Sequence, residues 1–151
     1  MNAIELLKED HGRVDKLFQK VKATDDSEHP KLFEKIKDEL DVHTHIEETI
    51  FYPFLIKEGD EELKDITLEG IEEHRQAKMF LREIASLADE SEKFEPKLKV
   101  LMEDIGHHVQ EEEGEMFPMV EKQFEAEKLE ELGSQLEKEK SSFKKSAAAK
   151  A

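Results

Sequence analysis

The chain has 151 residues, 41% of them charged, a formal net charge of -16 and no cysteine. Such an acidic surface argues against general nucleic-acid binding, which needs a basic footprint, and against anionic membranes. The absence of cysteine excludes disulfides and thiolate metal sites. "MNAIELLKEDHG" lacks the apolar core of a signal peptide, and no apolar run approaches the ~20 residues of a membrane span. The expectation is a cytoplasmic protein with a real hydrophobic core.

The apolar pattern predicts a first helix over residues 2–23, with Ile4, Leu7, His11, Val14 and Phe18 on one stripe. "TDDSEHP" reads as a turn that leaves His29 solvated, and Pro30 suits the first turn of a second helix. That helix runs to about residue 57, and Pro53 should bend or end it. Its stripe is Ile36, Leu40, His43, Glu47, Ile50 and Phe54. A third helix over residues 60–88 carries Ile71, His74, Lys78, Leu81 and Ala85, and "DESEKFEP" breaks it. A fourth over residues 95–123 carries Leu101, Ile105, His108, Glu112, Met116 and Met119, with Pro118 late in the helix. Residues 125–143 read as a fifth, highly charged helix, and "SAAAKA" as a frayed end. The fold class is therefore all-α: an up-down-up-down four-helix bundle over residues 1–124, with an additional C-terminal helix and tail over residues 125–151.

The chain also repeats itself. "VHTHIEETIFYP" and "IGHHVQEEEGEMFP" align on Pro53 and Pro118, which pairs His43 with His108, Glu47 with Glu112, Glu48 with Glu113 and Tyr52 with Phe117. "KEDHGRVDKLF" around His11 echoes "IEEHRQAKMFL" around His74. Each of the four helices thus sends one histidine inward, and two also send a glutamate. Buried carboxylates are costly unless they are paired or coordinate a metal. Imidazole and carboxylate suit iron, zinc or manganese, and a carboxylate can bridge two ions. His45 and His107 point off the stripes. Glu48 and Glu113 are expected at the edge of the site. Asp15 and Lys78, one turn after His11 and His74, are expected either in solvent or as outer partners of the ligands.

His11, His43-x-x-x-Glu47-Glu48 ending "FYP", His74, and His108-x-x-x-Glu112-Glu113 ending "MFP" resemble the hemerythrin-like, or HHE cation-binding, family over residues 4–123. The resemblance implies two non-haem irons, with His11, His43, His74 and His108 as terminal ligands and Glu47 and Glu112 as bridges. Oxygen-carrying members have a second third-helix histidine where this chain has Lys78. They also place an aspartate five residues after the fourth-helix histidine, where this chain has Glu112 at four. Two histidines per metal leave more open coordination positions. The implied function is binding of O2, NO, peroxide or another small anion, in sensing, detoxification or iron handling. Two other readings stay open. One is a di-iron peroxidase, catalase-like or NO-reducing enzyme. The other is a zinc-holding structural or interaction bundle.

Overall fold

A computed structural model of the chain describes residues 1–88 and 91–150. Among them every regular element is helical: α1 Ala3–Ala23, α2 His29–Ile46, α3 Tyr52–Glu58, α4 Glu61–Ala85, α5 Phe94–Glu111, α6 Phe117–Gln123 and α7 Ala126–Lys150. Local chemistry fixes several ends. Asn2 caps α1 in a reciprocal box with Glu5, and the Asp60 side chain accepts from the Leu63 N–H at the start of α4. No helix is long and apolar enough to cross a membrane among the described residues.

Each expected proline bend is instead a π-helical turn. Glu47–Phe51 joins α2 to α3, and Glu112–Met116 joins α5 to α6. The Tyr52 N–H bonds back five residues to the Glu47 carbonyl, and Phe117 does the same to Glu112. Proline has no N–H, and its ring crowds the carbonyl four residues earlier. The widened turn absorbs that conflict and lets the helix run on. It also inserts one residue into the helical phase. From the end of the turn onward Phe51, Tyr52 and Leu55 are buried, while Ile50 and Phe54 are only partly buried; likewise Val120 is buried and Met119 partly so. The stripe of α4 differs too: Gly70, Ala77 and Ile84 are buried, whereas Ile71 and Lys78 are half-buried and Ala85 is exposed.

Two apolar clusters fill the bundle. One contains Ile4, Leu7, Ile46, Phe51, Leu55, Leu63, Met116 and Val120; the other contains Val14, Phe18, Ile36, Leu40, Ala77, Leu81, Leu101 and Ile105. α1 runs from the first cluster to the second, α2 back, α4 out again and α5 back. That alternation is the up-down-up-down topology. The inward histidines lie where each helix passes between the clusters, so a polar layer is enclosed by apolar packing on both sides.

Helix α7 continues past the expected end, through the alanines to Lys150, and Ala151 of that segment lies outside the described residues. So do Asp89 and Glu90 at the start of the expected break; Ser91 onward forms the turn into α5. α7 lies against α1 and α2 and buries Leu129, Leu132 and Leu136 in the first cluster. Gly133 permits a close approach to the N-terminus. A Cβ there would run into the Met1 carbonyl oxygen and come within 2.9 Å of the Asn2 carbonyl carbon.

Candidate metal centre

His11 comes from α1, His43 from α2, His74 from α4 and His108 from α5, and all four are buried. Glu47 and Glu112 open the two π turns and are buried as well. The Nε2 atoms converge on these carboxylates. Glu47 Oε1 lies 3.0 Å from His43 Nε2 and 3.1 Å from His74 Nε2. Glu112 sends Oε1 to 3.0 Å from His11 Nε2 and Oε2 to 3.3 Å from His108 Nε2. Two overlapping donor groups result: Glu47, His74, His108 and Glu112, and beside them His11, His43 and Glu112. Glu112 is common to both.

The donors fit metal ions. His11 Nε2, His43 Nε2, Glu47 Oε2 and Glu112 Oε1 are buried without a properly directed hydrogen bond. Each such atom costs about 1–3 kcal/mol unless something takes its lone pair. Nitrogen and oxygen donors of this kind suit divalent first-row metals.

The other nitrogen of every histidine is held by a carboxylate. His11 Nδ1 meets Glu113 at 2.6 Å, His43 Nδ1 meets Asp10 at 3.0 Å, His74 Nδ1 meets Glu48 at 2.8 Å, and His108 Nδ1 meets Glu73 at 2.6 Å. With Nδ1 as the donor, each Nε2 lone pair is directed into the centre, as outer carboxylates commonly arrange around metal-binding histidines. Glu48 and Glu113 thus contact histidines rather than the centre itself. Helical period does not mark Asp10 and Glu73. A signal for them exists: each immediately precedes the first histidine of its half, in "EDH" and "EEH". Asp15 is exposed and holds no site histidine, while Lys78 Nζ bonds Glu48 at 2.6 Å and reaches His74 only through it.

Helical period does not mark Tyr52 as a site residue either. Its buried hydroxyl donates to Glu112 and lies 3.3 Å from Glu47 Oε1, 3.3 Å from His74 Nε2 and 3.4 Å from His108 Nε2. Burial and the two carboxylates hold its pKa well above the usual phenol range, so it remains a donor. Gly70 makes room for it, since a Cβ there would stand 3.3 Å from the hydroxyl. The repeat partner, Phe117, stacks on His11 with 6.0 Å between ring centroids. A hydroxyl is thus present at this repeat position in one half and absent in the other. Without metal, burial alone would lower the pKa values of His43 and His108. Glu47 and Asp10 override it at His43, which is lifted to about 10, and Glu112 and Glu73 at His108, lifted to about 11. Protons then stand where metal charge would.

The remaining histidines lie outside the centre. His107 is exposed beside Glu111, and His45 bonds Glu139 of α7 at 2.8 Å. His29 is buried rather than solvated, because the α5 start folds over it: Nε2 meets the Val21 carbonyl at 2.8 Å and Nδ1 meets Glu95 at 2.7 Å. Burial lowers its pKa, but Glu95 and the Val21 carbonyl raise it more, so it ends above 6.5. A raised histidine pKa stabilises the fold fully below the unfolded value and ceases to do so as pH rises through the folded one. Glu95→Gln should therefore lower the melting temperature most below about pH 6.5 and have no such effect once pH exceeds the raised value, as thermal melts across pH will show.

A cavity of about 20 Å³, lined by the four site histidines with Val14, Leu40, Thr44, Ile105 and Val109, adjoins the donors, and the Thr44 hydroxyl is spent on the Leu40 carbonyl. The cavity has room for about one water-sized molecule. Between α1 and α5 a groove of about 420 Å³ shares His11, Val14, Ile105 and Val109 with it and opens past Gly12 and Gly106.

The hemerythrin HHE cation binding domain family matches residues 2–120 of the chain. Among curated proteins the chain is similar to a DNA nickase of Nostoc sp., 25% identical over 93% of this chain and 40% of that protein. It is also similar to an uncharacterized hemerythrin-like protein of Schizosaccharomyces pombe, 29% identical over 87% of this chain and 65% of that one. The chain thus spans less than two thirds of either relative. Among solved structures, a hemerythrin HHE cation-binding domain-containing protein from Mycobacterium kansasii superposes with a TM-score of 0.84 at 27% identity, covering 99% of this chain and 91% of that one.

Proposed function

We propose, because the chain belongs to the hemerythrin HHE cation-binding domain family, that its buried cluster holds two iron ions and binds a small diatomic, peroxide or anionic ligand beside them. One observation carries the reading: four Nε2 atoms, each oriented through Nδ1, converge on two carboxylates that retain unpartnered lone pairs. His11 and His43 would hold one ion, His74 and His108 the other, and Glu47 and Glu112 would lie between them. Iron would supply open coordination positions and one-electron chemistry at the 20 Å³ cavity. Val14, Leu40, Ile105 and Val109 give that cavity an apolar wall beside the histidines, which suits a diatomic. The net charge of -16 disfavours carrying the Nostoc relative's named activity over to this chain. Sensing, detoxification or iron handling in the cytoplasm is the role proposed.

The test is metal analysis with the near-ultraviolet spectrum of protein freshly purified from iron-replete cells. About two irons per chain and a charge-transfer band lost on reduction are expected. Zinc in a colourless, redox-silent protein would overturn the reading in favour of a structural bundle. A second reading, an enzyme acting on peroxide or NO, is favoured by Tyr52, whose hydroxyl can donate a hydrogen bond to a ligand bound beside His74 and His108. Oxygen release from peroxide that drops in Tyr52→Phe at unchanged iron content would support it.

The α1–α5 groove is the proposed entry route. A Cβ at Gly106 would meet nothing within 4 Å, so a larger side chain can be added there without displacing the core. Gly106→Phe should slow azide association in stopped-flow while leaving iron content and equilibrium affinity unchanged.

A further inference from the structure

We propose that helix α7 sets the metal affinity of the His11/His43 half of the centre, through a relay in which Lys140 holds Asp10 and Asp10 holds His43. The inference rests on the metal-centre reading above and adds an element outside the family match, which ends at residue 120.

Asp10 is 1% exposed, and a carboxylate so buried must be fully partnered. Its Oδ2 takes His43 Nδ1 at 3.0 Å. Its Oδ1 accepts from both Arg13 and Lys140. Arg13 is a neighbour on α1, and its side chain is 38% exposed. Lys140 comes from α7 and is 14% exposed, so its ammonium has given up most of its water to reach Asp10. A lysine in this position restrains the carboxylate that orients the ring.

The other half has a lysine of its own, Lys78, which holds Glu48 against His74, but its side chain is 43% exposed, and Glu73, the equivalent of Asp10, has no lysine on it among the described residues. Glu73 holds His108 from the bundle surface, where His107 and Glu111 stand beside it. The repeat therefore gives both halves the same inner donors, and α7 makes their surroundings unequal. The register of α7 is well fixed. Leu129, Leu132 and Leu136 are buried, Gly133 abuts Met1–Ala3, Glu139 bonds His45, and Phe143 packs on the His45 ring with 4.6 Å between centroids. Coupling between two sites is reciprocal. If docked α7 favours metal at His43, metal there must favour docked α7.

The experiment titrates metal-free full-length protein with Co(II) by calorimetry, in the wild type and in Lys140→Met, Lys140→Arg and Lys138→Met, the last being an exposed α7 control. The wild type should bind two ions. Lys140→Met should weaken one of them by about tenfold, the lower end for loss of an outer partner, and leave the other unchanged. Lys140→Arg should restore most of the affinity, and Lys138→Met should match the wild type. Gly133→Leu, which keeps the lysine but obstructs docking, should weaken the same single ion. Hydrogen exchange across residues 126–150 should slow on metal loading in the wild type and not in Lys140→Met. Unchanged affinity for both ions in Lys140→Met overturns the relay, and so does equal weakening of both, which marks a merely structural helix. A wild type that binds no Co(II) removes the metal-centre reading itself, and the relay with it.

Discussion

Glu112→Ala should strip both metals from the centre, not one. Its Oε1 faces His11 and its Oε2 faces His108, so a single carboxylate serves both donor groups. Alanine removes both oxygens and leaves the Tyr52 hydroxyl, which donates to Glu112, without that acceptor. Glu113→Ala provides the contrast. Glu113 touches only His11, through Nδ1, so its loss should weaken one ion by about 10–100-fold, as outer partners do. Metal analysis after gel filtration separates the two patterns. A Glu112→Ala protein that still carries two firmly held irons would refute the bridging role.

Chelation should lower the melting temperature by about 10–20 °C. Metal present at 100 times its dissociation constant stabilises by about 2.7 kcal/mol per site, hence about 5 kcal/mol for two. In a chain of this size each kcal/mol moves the midpoint by about 2–4 °C. The difference should depend on pH in a particular direction. In the metal-free protein, protons on His43 and His108 pair with the glutamates, with pKa values near 10 and 11. That contribution is complete below the unfolded histidine value of about 6.5 and disappears as pH rises through 10 to 11. The metallated protein does not depend on those protons, and it loses metal as acid competes for the imidazoles. The gap between the two forms should therefore be narrowest in mild acid and widest in alkali. Calorimetric scans with and without chelator at several pH values would show it, and a gap constant across pH would count against a buried histidine-rich site.

The ring of outer carboxylates is set by contacts between helices and not by helical period. His11, His43, Glu47, His74, His108 and Glu112 stand out because helical period and internal repeat both mark them. Asp10 and Glu73 do not, because each is one residue, about 100° of helix, off its own histidine's stripe and acts on a histidine of the neighbouring helix. Asp15 was the plausible acid by helical period, yet it faces solvent. Which carboxylate reaches which ring depends on how two helices sit side by side. The same holds for His29, which looked solvated until α5 placed Glu95 against it.

By itself the sequence determined the helices, their order, the tandem repeat and the six inward donors, because these follow from short-range periodicity and from the cost of burying charge. Only the tertiary structure decided the rest. The π turns at Glu47 and Glu112 slip the helical phase by one residue, which moves burial from Ile50 to Phe51 and from Met119 to Val120. Tyr52 enters the centre because Gly70 on another helix leaves space for it. α7 reaches Asp10 across 130 residues of chain. Each is a contact between segments distant in sequence, and no local period encodes which segments will meet.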